Sequence, residues 1–252
     1  MDQRFKKELD QYRTAASKIN TPLGSVSDIQ RIEPILTDYP ELAQAGVCSG
    51  HYFHQDLLVA NYVYRRQPTE HLDVGSRVDG FITHLLAFET QTILVDKRSL
   101  NYYNPHLSYL EADITQDDPL FPGRQFESIS SLHAIEHMGP GRYGDTIDPV
   151  GHIKALRNLA SLLAPCGYLY VSWPCGPSRV EFNSQRAISI DEALILFEMV
   201  GLTPELLRVV GDDGNLITDH FTATNDWGRA LQMYAGCSIW TLRKHNQPIS
   251  FS

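Results

Sequence analysis

A chain of 252 residues, 42% apolar and 20% charged, is long enough to close one large core and has an ordinary globular composition. Its formal net charge of −9 argues against the basic face that nucleic acid needs, so no nucleic-acid partner is expected, a local patch aside. No apolar run approaches the roughly 18 residues of a membrane span, and M-D-Q-R-F-K-K-E-L-D is charged where a signal peptide is apolar, so a cytoplasmic protein without membrane contact is expected. The four cysteines, Cys48, Cys166, Cys175 and Cys237, form no C-x-x-C pair, which speaks against a zinc ribbon or a disulfide framework.

The first helix is expected in R-F-K-K-E-L-D-Q-Y-R-T-A-A-S-K-I, where Phe5, Leu9, Tyr12 and Ala16 recur at spacings of three and four. Ser27 is placed to cap a second, with Ile29, Ile32, Ile35 and Leu36 as its apolar face. A third starts near His54, carries Leu57, Leu58, Ala60, Tyr62 and Val63, and ends at Pro68. Beyond residue 70 the pattern changes. Short apolar runs at 71–74, 92–96, 108–113, 126–132 and 167–173 read as strands, with further candidates at 206–210 and 238–242. Helical segments alternate with them. One is marked by Phe81, Ile82, Leu85, Leu86 and Phe88. A second runs from an expected cap at Asp148, with Pro149 at the first helical position, to a stop at Pro165 and Gly167. A third opens with the capping box Ser189 to Glu192 and ends at Gly201. The expected architecture is α/β: a doubly wound, mostly parallel seven-stranded sheet over 69–252, with a helical extension over 1–68 packed on it.

In such a sheet ligands bind at the carboxyl ends of the strands. H-L-D-V-G-S-R-V-D-G-F reads as strand, glycine turn and helix start, which brings Asp73, Gly75 and Ser76 to one strand end. Asp96, with Lys97 beside it, ends the next strand 21 residues after Gly75, the distance at which an acidic residue accepts from ribose hydroxyls. Asp113 and Ile114 end the third, suited to an exocyclic amine and a ring face. Leu132 and His133 end the fourth. Each of these has a plainer reading as a helix cap or a satisfied core group; their joint order along the chain favours a ligand site.

That order resembles class I S-adenosylmethionine-dependent methyltransferases, which have a Rossmann-like sheet. The matching elements are D-V-G-S, I-L-V-D, E-A-D-I, S-I-S-S-L-H-A-I-E-H and L-L-A-P-C-G-Y-L-Y-V-S, spanning residues 70 to about 215. More narrowly, D-V-G-S-R-V-D-G, S-S-L-H-A-I-E-H and G-R-Y-G-D-T-I-D-P-x-G-H look like a poorly characterised bacterial branch of the fold. The resemblance implies S-adenosyl-L-methionine as cofactor, with Asp73, Gly75 and Ser76 at its methionine end, Asp96 and Lys97 at the ribose, Asp113 and Ile114 at the adenine, and Leu132 and His133 facing the methyl. The family's usual G-x-G-x-G is broken, since Arg77 and Asp79 stand at the later glycine positions and Gly80 comes one late.

Methyl transfer needs an aligned acceptor and, for a hydroxyl, a base. His133 is the first candidate because imidazole titrates near neutral pH; Glu136 and His137 stand beside it, and Arg142, Tyr143 and Asp145 are candidates to hold substrate. His133 and His137 would share a helix face, but H-E-x-x-H is absent and no metal is expected. H-Y-F-H-Q-D, residues 51–56, reads as core packing or as a cover over the cofactor. The expected function is methyl transfer to a small molecule or a glycan hydroxyl. The alternatives are a non-catalytic binding protein on the same fold and a nicotinamide-dependent sugar-modifying enzyme, which would want G-x-G-x-x-G at the turn after the first strand or Y-x-x-x-K; the turn at Gly75 lacks the first, and no tyrosine has a lysine four residues later.

Overall fold

A computed structural model describes residues 3–18, 46–142, 146–221 and 233–244. The expected helix over Ile29 to Leu36 and the candidate substrate residues Tyr143 and Asp145 lie outside the described residues. Two compact units are present, Met1–Val47 and Cys48–Ser252. In the first, α1 spans Gln3–Ala16 and carries the expected stripe, with Arg4 and Glu8 paired one turn apart.

The second unit holds α2 (His51–Arg66), β1 (His71–Val74), a π-helical turn (Val78–Ile82), α3 (Thr83–Ala87), β2 (Thr92–Asp96), β3 (Leu107–Glu111) and β4 (Phe126–Leu132). A 3₁₀ turn (Ile135–His137), α4 (Gly151–Leu162), β5 (Leu163–Cys175), the hairpin β6 (Arg179–Glu181) and β7 (Gln185–Ala187), α5 (Ile190–Met199), β8 (Leu202–Val210), β9 (Leu216–Phe221) and β10 (Gly236–Lys244) follow. The boundary expected after residue 68 would put α2 with the N-terminal extension; it lies in the unit that begins at Cys48.

The main sheet has the order β3-β2-β1-β4-β5-β10-β8-β9. The first five strands pair in parallel, whereas β10 runs antiparallel to both β5 and β8. β9 adds an eighth strand antiparallel to β8. Its sequence L-I-T-D-H-F interleaves polar residues and pairs on one side only, which is why no strand was expected there.

Strand alternation sends side chains to two cores. Leu72, Val74, Ile93, Val95, Leu169, Val171, Trp240 and Leu242 pack with Ala155, Leu156 and Leu159 of α4 and Ala193 and Phe197 of α5. Leu94, Tyr170 and Ile239, one residue out of phase, pack with Val59, Ala60 and Val63 of α2 and with Phe81, Ile82 and Leu85. Such two-sided burial makes the strands near-continuous apolar runs, as the sequence shows. α5 is capped as expected, Ser189 Oγ accepting from the Glu192 N–H. α4 departs from expectation. Val150 is its N-cap, and Asp148 instead accepts from the Val150 N–H in the turn before it and pairs with Lys154.

Candidate functional site

The glycine turn after β1 is built on a buried polar chain. On the α2 face of the sheet, the two nitrogens of His71 lie 2.8 Å from Ser128 Oγ and 2.8 Å from Ser130 Oγ. Ser130 Oγ donates to Asp73 Oδ2, which also accepts from Ser76 Oγ at 2.6 Å, while Asp73 Oδ1 accepts from the Ser76 N–H. Ser76 Oγ in turn accepts from the Leu132 N–H at 3.0 Å. With Ser130 donating to Asp73, Ser130 must accept from His71 Nε2–H, and Nδ1 is then left to accept from Ser128. Burial pushes the Asp73 carboxyl up to about 7 against the hydrogen bonds from Ser130 and Ser76, and pushes His71 down to about 3. Asp73, Ser76 and Leu132 therefore lie behind the turn, fully buried, and fix its shape from below.

Gly75 sits at φ +76, and a Cβ there would come within 2.9 Å of Ala134 Cβ, so only glycine fits. Arg77 and Asp79, at the later glycine positions, pair with each other on the outside, with Arg77 over the Tyr52 ring. Gly80 is explained by packing, since a side chain there would collide with Asp56 of α2. The irregular turn thus points its bulk away from the strand ends.

Those ends enclose a pocket of about 280 Å³. Its walls include Val74 and Gly75 from β1, Asp96 to Arg98 from β2, Ala112 to Asp117 from β3, and His133, Ala134 and His137 to Gly139 from β4. Thr146, Asp148, Gly151 and Lys154 close the far side. Seven of the expected site residues, Gly75, Asp96, Lys97, Asp113, Ile114, His133 and His137, meet here. Asp96 already accepts three hydrogen bonds from Arg98, from its N–H at 2.8 Å and its guanidinium at 2.9 and 2.6 Å; a carboxylate with about four lone-pair sites keeps room for one ribose hydroxyl. Asp113 accepts from the N–H and hydroxyl of Thr115 and lies 3.6 Å from Lys97 Nζ. Burial pushes its pKa up, but these partners outweigh burial and hold it below the ordinary value. The Ile114 carbonyl accepts from Asn158 of α4, which fixes the turn.

After β4 the chain turns at His133, whose φ of +48 is unusual for a residue with a side chain. Its N–H donates to the Ser172 carbonyl. Its Nδ1 lies 2.7 Å from Glu136 Oε1, and Glu136 is fully buried. His133 and His137 do not share a helix face, because the intervening turn is a three-residue 3₁₀ turn. His137 instead places Nδ1 2.8 Å from the Ser184 carbonyl, with Arg142 against its ring; burial lowers its pKa. The loop beyond is pinned by Arg186 of β7, which donates to the Met138 and Pro149 carbonyls. Gly139, at φ +100, lets the loop backbone approach Asp148. Arg98, Lys154 and Arg186 carried no sequence signal, since isolated cations are common on solvated faces.

α2 covers this end. His51 stacks on His133 with ring centroids 5.3 Å apart and planes 4° from parallel, and Tyr52 leans on the same ring at 5.1 Å. Gln55 accepts from Ser172 Oγ, tying the helix to β5. The stretch H-Y-F-H-Q-D is the first turn and a half of α2 rather than a lead-in to it. Among the described residues no helix is long and apolar enough to cross a membrane.

Comparison with known proteins agrees with this layout. A family model described as "Caenorhabditis protein of unknown function, DUF268" matches residues 83–201. No curated protein matches the chain by sequence. Among solved structures, the 1,6-didemethyltoxoflavin-N1-methyltransferase of Burkholderia thailandensis, bound to 1,6-didemethyltoxoflavin and S-adenosylhomocysteine, superposes with TM-score 0.53 at 15% identity, over 76% of this chain and 79% of that one. An S-adenosylmethionine-dependent methyltransferase of Archaeoglobus fulgidus gives 0.50 at 13% identity, over 75% and 94%. The [4+2]-cyclase SpnF gives 0.51 at 16% identity, over 75% and 80%. The chain has the class I methyltransferase fold, Rossmann-like with a mostly parallel sheet.

Proposed function

We propose that this protein is an S-adenosylmethionine-dependent methyltransferase acting on a small molecule or a glycan hydroxyl. The observation that carries the reading is that Gly75, Asp96, Asp113 and Ile114, from the ends of three adjacent strands, wall one pocket that His133 closes. In this reading the cofactor's methionine end lies at Gly75, its ribose at Asp96 and Lys97, its adenine at Asp113 and Ile114, and its methyl toward His133. Asp73, Ser76 and Leu132 shape the turn from behind. The Burkholderia thailandensis neighbour of the fold, bound to S-adenosylhomocysteine, supports the cofactor. The placement in a bacterial branch rests on the sequence motifs alone. A cytoplasmic location is part of the same reading.

The chemistry is a displacement. A lone pair on the acceptor oxygen or nitrogen forms a bond to the methyl carbon as the C–S bond breaks; its electrons stay on sulfur, giving S-adenosylhomocysteine, and the acceptor's proton leaves. We assign activation of the acceptor to the His133–Glu136 pair, which stands at the end of β4, with His137, Arg142, Tyr143 and Asp145 contributing to the acceptor side. The test is calorimetric titration with S-adenosylmethionine, S-adenosylhomocysteine and NAD. Binding of the first two and not the third is expected; a folded protein that binds neither of the first two overturns the reading.

A further inference from the structure

His133 belongs to two neighbourhoods. It lines the pocket, and its ring also faces His51 at the start of α2 and Cys237 at the start of β10. We propose that His51, His133 and Cys237 are the three protein ligands of a zinc site beside the pocket, with a fourth position for water or an acceptor atom.

The three ligand atoms lie within 4.8 Å of one another. With Zn–N near 2.0–2.1 Å and Zn–S near 2.3 Å, tetrahedral ligands sit about 3.5 Å apart, so ligation draws the three together by about an ångström. An unsatisfied atom marks the spot. The His133 side chain is 5% exposed, and its Nε2 is buried without a hydrogen-bond partner, a cost that ligation removes. The opposite nitrogen is already held as metal-binding histidines are held, by a carboxylate. With Nδ1–H donating to the buried Glu136, Nε2 is the nitrogen left for a metal, and because the His51 ring lies parallel to this one, ligation turns one of the two rings so that both lone pairs meet the ion.

Two imidazoles and a thiolate are donors of zinc rather than of magnesium or calcium, and three protein ligands with one open position are the pattern of catalytic zinc. Bound zinc lets a coordinated water, hydroxyl or thiol lose its proton near neutral pH. That role rests on the proposed methyl transfer; the binding site does not. In the loaded protein His133 is a ligand with both nitrogens engaged, so activation of the acceptor would pass from the His133–Glu136 pair to the metal, and the acceptor's proton would be lost to solvent.

Cobalt(II) is the probe. Titrated into the metal-stripped full-length chain, it is expected to give one equivalent of tetrahedral cobalt with a thiolate charge-transfer band. Cys237→Ser removes that band, whereas Cys166→Ser and Cys48→Ser, at exposed cysteines, keep it. Glu136→Gln weakens metal binding by about 10–100-fold. If Cys237→Ser fails to fold, His51→Gln, on the first residue of α2, carries the same test by weakening cobalt binding at least about tenfold. Absence of the band from the wild-type protein, or its survival in Cys237→Ser, overturns the proposal. S-adenosylhomocysteine is titrated into the same samples. Cobalt without cofactor binding sinks the methyltransferase reading and leaves the site; cofactor binding without cobalt sinks the site and leaves the reading.

Discussion

The two ends of the pocket are made in different ways. At the Asp96 and Asp113 end, each strand contributes residues within a few positions of its own last residue, and the turns hold themselves, Arg98 on Asp96 and Thr115 on Asp113. At the His133 end, the partners are His51, His133 and Cys237, from a helix, a parallel strand and an antiparallel strand. The first end is local chemistry repeated on neighbouring strands. The second exists because the sheet order sets β10 beside β5 and α2 packs across both. A change at one end should leave the other standing, and the tests below are chosen to break that independence if it is false.

The largest effect is expected at Gly75. Gly75→Val forces a branched side chain into φ +76 and against Ala134; strain of about 1–3 kcal/mol before any clash is expected to abolish S-adenosylhomocysteine binding and lower the melting temperature. Wild-type affinity in this variant would remove the turn from the site. Asp96→Ala comes next. Losing hydrogen bonds to a charged acceptor costs about 1.5–3 kcal/mol, roughly a tenfold to hundredfold loss of affinity by calorimetry. Cobalt binding should be unchanged in Asp96→Ala, and a joint loss would contradict the separation of the two ends.

The buried chain beneath the turn has a pH signature. Asp73 is raised to about 7 from 3.8, so its contribution is complete below about 4 and is lost as pH rises to about 7. His71 is lowered to about 3 from 6.5, so its contribution is complete above about 6.5 and is lost as pH falls toward 3. Between about 4 and 6.5 the slopes oppose each other, each about 1.4 kcal/mol per pH unit. Denaturant melts of His71→Gln should then lose stability as pH rises through that window, and those of Asp73→Asn should lose it as pH falls. Equal slopes in the two variants would show that the chain does not titrate as described. The smallest effect belongs to Arg77→Ala. Its pair with Asp79 is exposed, so stability should change by less than about 1 kcal/mol, with cofactor affinity unchanged. A large affinity loss would mean that the altered turn itself touches the ligand.

Much of the Asp96 and Asp113 end is legible in the sequence because strand ends leave local marks. Asp96 and Asp113 follow apolar runs, and Gly75 interrupts one. The roles of Asp73 and Ser76 are less legible. A polar residue at a strand end looks the same whether it faces a ligand or, as here, a neighbouring serine across the sheet. His133 stands out in the sequence by position, yet its environment does not. Cys237 lies 104 residues further on, in an apolar strand where a cysteine reads as packing. His51 belongs to a segment that reads equally as core. Only the antiparallel placement of β10 brings them together. The eighth strand was hidden for a related reason: an edge strand with one partner needs no apolar run.

Hydrogen exchange with and without S-adenosylhomocysteine tests the central claim most directly. The account predicts protection concentrated in three turns, around Gly75, Asp96 to Arg98 and Asp113 to Gln116, and at the start of the loop after His133. Protection elsewhere on the sheet, or none in a protein that still binds the compound, would contradict it.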